Sequence, residues 1–114
     1  MDLELENQSV AVFGGAGTIG QAVVKRFIEE GCQVLIFDAH PSTDEISKSM
    51  HENVLSIRSN VVDYEAVKTG LKDAANRFGR IDHVVFSVGA GSGKFGFPFW
   101  NLEPSDWSRI LEIN

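Results

Sequence analysis

The chain has 114 residues, enough for one domain with a modest core, and its 43% hydrophobic and 23% charged residues are those of an ordinary globular protein. Its net charge of −6, with basic residues scattered and Lys25-Arg26 the only adjacent pair, argues against nucleic acid or an anionic membrane as partner, since both need a basic patch for phosphates. No stretch approaches the roughly 20 apolar residues that cross a bilayer, the acidic opening Met1-Asp2-Leu3-Glu4 lacks the basic flank of a secretory signal, and the lone Cys32 has no disulfide or metal-pair partner, so a cytoplasmic protein without a metal site is expected.

Ser9 to Phe13 is apolar on both faces and ends abruptly in glycine, which predicts a buried parallel strand. After Gly20 the spacing becomes helical, with Val23, Val24, Phe27 and Ile28 on one face, Lys25, Arg26, Glu29 and Glu30 on the other, and Gly31 as the stop. Gln33 to Phe37 reads as a second buried strand ending at Asp38. Residues 39–53 are polar and predict a loop plus a short irregular helix, before a third strand at Val54 to Ile57. Asp63 stands at an N-cap position, with Ala66 where a capping box would need Glu or Gln. Val67, Leu71, Ala74, Ala75 and Phe78 follow at helical spacing, and Gly79 ends the run. Val84 to Val88 reads as a fourth strand, and residues 90–98 as a loop rich in glycine and phenylalanine. Ser105 or Asp106 is placed to cap a last helix with Trp107, Ile110 and Leu111 as its apolar face. Strands alternating with helices predict an α/β fold: a Rossmann-type parallel sheet with helices on both faces, truncated after the fourth strand and forming one unit over residues 1–114.

Gly14-Gly15-Ala16-Gly17-Thr18-Ile19-Gly20 lies between the first strand and the first helix. Its context is that of a diphosphate-binding turn: a buried strand before it, an amphipathic helix after it, and an acid at the end of the second strand. Gly14 allows the tight exit, Gly17 clears the approach to a pyrophosphate, and Gly20 lets the helix pack closely on the sheet. Phosphates would then meet free N–H groups at the positive end of the helix dipole. A ligand-free glycine turn is the alternative, disfavoured because glycine costs about 0.5–1 kcal/mol at each helical position. Asp38 would accept hydrogen bonds from both adenosine ribose hydroxyls and repel the extra phosphate of NADP, and neither the loop nor the residues just after Asp38 hold an Arg or Lys to offset it. NAD over NADP is therefore expected; a solvated turn residue is the plainer reading of Asp38.

With these residues in place, the chain resembles the short-chain dehydrogenase/reductase family from Val10 to Asn114. Phe13 to Gly20 occupies the place of the family's T-G-x-x-x-G-x-G, Asn60-Val61-Val62-Asp63 that of its adenine-contacting D-V-x-D, and Phe78-Gly79-Arg80-Ile81-Asp82 with Val84-Val85 that of F-G-x-I-D-x-L-V. Phe86-Ser87-Val88-Gly89 stands for N-N-A-G, and Trp107 to Asn114 for the W-x-x-x-x-x-x-N segment that carries the family's catalytic asparagine. The resemblance implies Asn114 as a catalytic residue and Gly14, Gly17, Thr18, Ile19, Gly20, Asp38, Asn60, Val61, Ser87, Val88 and Gly89 as cofactor-binding residues. Thr18 replaces the family's middle glycine, giving a G-x-x-G-x-x-G spacing similar to its extended, sugar-nucleotide branch. Asn60 keeps an amide oxygen for the adenine amino group, and Phe86 loses a polar contact that normally steadies the central strand.

In that family the tyrosine and lysine of Y-x-x-x-K, aided by a serine, move the proton while hydride moves to or from nicotinamide. The only tyrosine here sits in Tyr64-Glu65-Ala66-Val67-Lys68, ahead of the fourth strand, where the spacing fits and the position does not. Ser87 comes a strand too early for the catalytic serine and suits the cofactor ribose. His40, His51 and His83 have no neighbours at metal or nucleophile spacing and read as surface or strand-edge residues. Phe95 to Trp100 would either line an apolar substrate cleft or pack against a further part of the protein. The expectation is the amino-terminal part of an NAD-dependent oxidoreductase acting on a small alcohol or carbonyl, with the chain by itself inactive and prone to form homo-oligomers. A nucleotide-binding module without chemistry and an extended-branch epimerase or dehydratase are the alternatives.

Overall fold

Ser9–Phe13 form β1, and all five residues are buried, as expected of a strand with apolar groups on both faces. In the computed structural model, which describes residues 1–114, α1 (Thr18–Glu29), β2 (Gln33–Asp38), α2 (Thr43–Met50), β3 (Val54–Arg58), α3 (Tyr64–Phe78), β4 (His83–Phe86) and α4 (Pro104–Ile113) follow, with one 3-10 turn at Phe99–Asn101. The sheet order is β3-β2-β1-β4, all parallel. This is the predicted Rossmann-type α/β arrangement. No helix is long and apolar enough to cross a membrane.

Alternation along the strands divides the core in two. Val10, Val12, Val34, Ile36 and Val54 meet Val24 on one face, flanked by Phe27 and Ile28 of α1 and Met50 of α2. Ala11, Phe13, Leu35 and Phe37 meet Ala74 of α3 on the other, flanked by Val67, Leu71 and Phe78. Phe37 and Leu35 are wholly buried, each stabilising the fold by about 1.5–3 kcal/mol relative to exposure. Cys32 is buried too, and burial, ahead of nearby Glu30 and Asp82, pushes its thiol pKa up.

Several boundaries differ from the sequence reading. α1 begins at Thr18, two residues before Gly20, with Gly17 as an extended N-cap residue that makes no side-chain cap. α2 is a regular eight-residue helix, not an irregular one. Its buried residues are polar, Thr43 and Ser47, and their hydroxyls donate to the carbonyls of His40 (2.6 Å) and Val54 (3.0 Å), so apolar periodicity could not reveal it. α3 is capped as expected, the Asp63 carboxylate accepting from Ala66 N–H at 3.0 Å. α4 starts at Pro104 with Glu103 as N-cap, displacing the caps expected at Ser105 or Asp106; Asp106 instead accepts from Glu103 N–H at 2.8 Å and from Lys94 Nζ at 2.7 Å. β4 spans His83–Phe86, so Ser87 and Val88 lie beyond it. Its residues alternate between half-buried and exposed, because α3 covers the inner strands and α4 buries no residue.

Candidate functional site

The carboxyl ends of β1, β2 and β4 open into a cleft of about 350 Å³, lined by Gly14, Gly17, Asp38, Ala39, His40, Asn60, Val61, Ser87, Val88, Gly89 and Ile113. Ligands bind at this end of open α/β sheets, where the strand order reverses. Here β1 lies between β2 and β4.

Gly14 turns the chain out of β1 at φ +79°, and a Cβ there would lie 2.9 Å from the Ser87 carbonyl carbon and Val88 nitrogen. Gly20 behaves differently from expectation. A Cβ there would meet the Gly14 carbonyl oxygen at 2.0 Å, so its small size lets the loop fold over the first helical turn rather than the helix approach the sheet. Gly17 is exposed and has only the Gly14 oxygen near its missing Cβ, at 3.4 Å. The N–H groups of Thr18, Ile19 and Gly20 make no hydrogen bond within the protein, and no side chain caps the helix. These three residues stand in the first turn outside the cleft lining; their backbone supplies donors and a positive dipole end directly after Gly17, which does line it. Small residues, open space and bare amides fit a diphosphate.

Asp38 ends β2 and is held at both oxygens: Oδ2 accepts from Ala16 N–H at 3.0 Å and Oδ1 from His40 N–H at 2.9 Å. A carboxylate offers about four acceptor positions, so capacity for a diol remains. Arg58 stands opposite Asp38 in the β2–β3 register, exposed and without an ion pair. It is the basic neighbour that the reading of residues just after Asp38 could not find, since a strand pairing brings it there. Asn60 lines the cleft, but its Oδ1 holds Val62 N–H at 3.1 Å, so the oxygen expected to face adenine is partly occupied by its own turn. Ser87 Oγ donates to the carbonyls of Phe13 (3.0 Å) and Gly14 (3.3 Å), tying the end of β4 to that of β1.

Asn114 does not line the cleft. Its Oδ1 accepts from Ala90 N–H at 3.1 Å, and its Nδ2 donates to the carbonyls of Ala90 and Ile110, both at 2.8 Å. It clasps the segment after Gly89 to α4. Tyr64, 73% exposed at the start of α3, is also off the cleft wall, as is every ring of Phe95, Phe97, Phe99 and Trp100. Ala39, His40 and Ile113 line the cleft without having been singled out in sequence. His83 stands on the edge strand β4, as expected, where Nε2 bonds the Gln8 side chain and the ring stacks on Phe27, centroids 6.3 Å apart.

A cleft at the switch point of a parallel sheet, lined in part by a glycine turn, defines a Rossmann-type fold. A family model described as short chain dehydrogenase matches residues 8–114, and the chain belongs to that family. It is 30% identical over 114 residues to an acetoacetyl-CoA reductase of Synechocystis, covering all of this chain and 44% of that protein. Against a cis-4-hydroxycyclohexanecarboxylate dehydrogenase of Sinomonas cyclohexanicum it is 29% identical, covering 90% of this chain and 42% of that one. A short chain dehydrogenase from Bacillus anthracis shares the fold at TM-score 0.85 and 20% identity, over 96% of this chain and 44% of that one. A 3-ketoacyl-(acyl-carrier-protein) reductase from Brucella melitensis, solved with NADH, does so at 0.83 and 20% identity, over 96% and 45%. The chain thus spans less than half the length of these relatives.

Proposed function

We propose that the chain is the NAD(H)-binding portion of a cytoplasmic oxidoreductase that exchanges hydride between nicotinamide and a small alcohol or carbonyl compound. The observation that carries this reading is the set of bare N–H groups at Thr18, Ile19 and Gly20, which directly follow Gly17 on the wall of a cleft that Asp38 also lines. The loop amides hold the diphosphate, Asp38 accepts from the adenosine ribose, Asn60 and Val61 border the adenine, and Ser87, Val88 and Gly89 border the second ribose. The bound dinucleotide supplies the hydride donor or acceptor. Asn114, with its amide committed to backbone groups, holds the Gly89-Ala90 segment in place. The proton-transferring Tyr-x-x-x-Lys and serine of the family have no counterpart at this cleft, so the 114 residues alone are expected to bind nucleotide without turnover.

Asp38 favours NAD, and Arg58 is the specific feature that favours NADP, being a cross-strand neighbour whose guanidinium suits a phosphate. Fluorescence titration with NADH and NADPH decides between them. Tighter binding of NADH is expected, with Asp38→Ala weakening it and narrowing the gap. Tighter NADPH binding, lost in Arg58→Ala, would reverse the preference.

A further inference from the structure

His40 follows Asp38 by two residues, is exposed, and is among the residues that line the cleft. Exposed histidines ordinarily sample several rotamers. This one is held at its main chain and at its ring. Its N–H donates to Asp38 Oδ1 at 2.9 Å, its carbonyl accepts from Thr43 N–H at 3.1 Å and Thr43 Oγ1 at 2.6 Å, and its Nδ1 accepts from Ser42 N–H at 3.1 Å. A ring nitrogen that accepts carries no proton, so the neutral imidazole is the Nε2–H tautomer. The bond from Ser42 is the only one that the ring makes, which leaves Nε2–H free. A held donor therefore belongs to a cleft-lining residue two positions from a carboxylate that only accepts.

We propose that His40 reads the adenosine ribose together with Asp38, its Nε2–H donating to a ribose hydroxyl oxygen while Asp38 accepts from the hydroxyl hydrogens. The proposal rests on the reading of the cleft as an NAD site. Each ribose hydroxyl is at once donor and acceptor, so a carboxylate alone leaves the diol oxygens without donors. His40 supplies what Asp38 lacks, and the Asp38–His40 N–H bond fixes the two in one local turn.

The test is a titration of NADH into the chain and into its His40→Ala and His40→Gln variants, repeated with NADH whose adenosine ribose is 2′,3′-dideoxy. His40→Ala is expected to weaken NADH about 3- to 10-fold, the worth of one neutral hydrogen bond. His40→Gln, which keeps a side-chain N–H donor, recovers most of that loss, and the dideoxy compound binds the parent chain and His40→Ala alike. Unchanged NADH affinity in His40→Ala overturns the proposal and leaves the NAD reading standing. Equal weakening of both compounds also overturns it, because the loss would then come from the loop's fold. Failure of the parent chain to bind NADH overturns the reading of the cleft, and this proposal with it.

Discussion

A methyl group at Gly20 would sit 2.0 Å from the Gly14 carbonyl oxygen, a contact with backbone that no side-chain rotation relieves. Gly20→Ala is therefore expected to destabilise the fold by about 1–3 kcal/mol, the range of forced overpacking, and to displace the turn that presents the bare amides. Urea unfolding checks the first effect and NADH titration the second; native stability with native affinity would show that the loop yields freely. The same scale explains the limits of reading Asp38 from its neighbours in sequence. Its acid was legible at the end of an apolar run, whereas Ala16 N–H, His40 N–H and Arg58 reach it through folding.

Between elements, Asp82 fastens the start of β4 to β1. Its Oδ2 accepts from Ser9 N–H at 2.8 Å and Ser9 Oγ at 3.1 Å, its N–H donates to the Ser9 carbonyl at 3.0 Å, and Arg80 pairs with its other oxygen. The Arg80 hydrogen bond, followed by the one from Ser9 N–H, lowers its pKa from 3.8 to about 2. A folded-state pKa below the unfolded one means that this contribution to stability is present above the unfolded value and is lost as pH falls through the folded one. The loss should therefore fall between about pH 4 and pH 2, and Asp82→Asn should flatten that part of a stability–pH curve measured by urea unfolding. An unaltered acid limb would show that the bond to Ser9 does not depend on charge. The helices differ in how far their sequence exposed them. α1 and α3 announce themselves through apolar periodicity and stops at Gly31 and Gly79, while α2 buries hydroxyls that satisfy nearby carbonyls and leaves no apolar stripe.

Across the whole molecule, β4 pairs only with β1, so its other edge is open. Phe86 stacks on Phe13 with centroids 6.1 Å apart, yet it remains 53% exposed and Val84 60%. Phe95, Phe97, Phe99, Trp100, Trp107 and Leu111 are also exposed. An open strand edge beside uncovered apolar side chains favours pairing with another copy. Sedimentation velocity is expected to show concentration-dependent self-association, reduced by Val84→Lys, which places a charge on that edge. A monomer at every concentration would contradict this.

The sequence by itself determined the order of strands and helices, the parallel sheet, the glycine turn and the acid that ends β2, because strand runs, helical spacing and turn residues are local signals. It also located most of the cleft, since Gly14, Gly17, Asp38, Asn60, Val61, Ser87, Val88 and Gly89 all line it. Tertiary structure alone decided which groups remain available there. Hydrogen bonds and strand register join residues far apart in the chain: they commit Asn114 to Ala90, turn Ser87 toward β1, bring Arg58 opposite Asp38, and leave the N–H groups of Thr18, Ile19 and Gly20 bare. No residue pattern records which donors folding will consume, because that depends on distances only the packed chain sets.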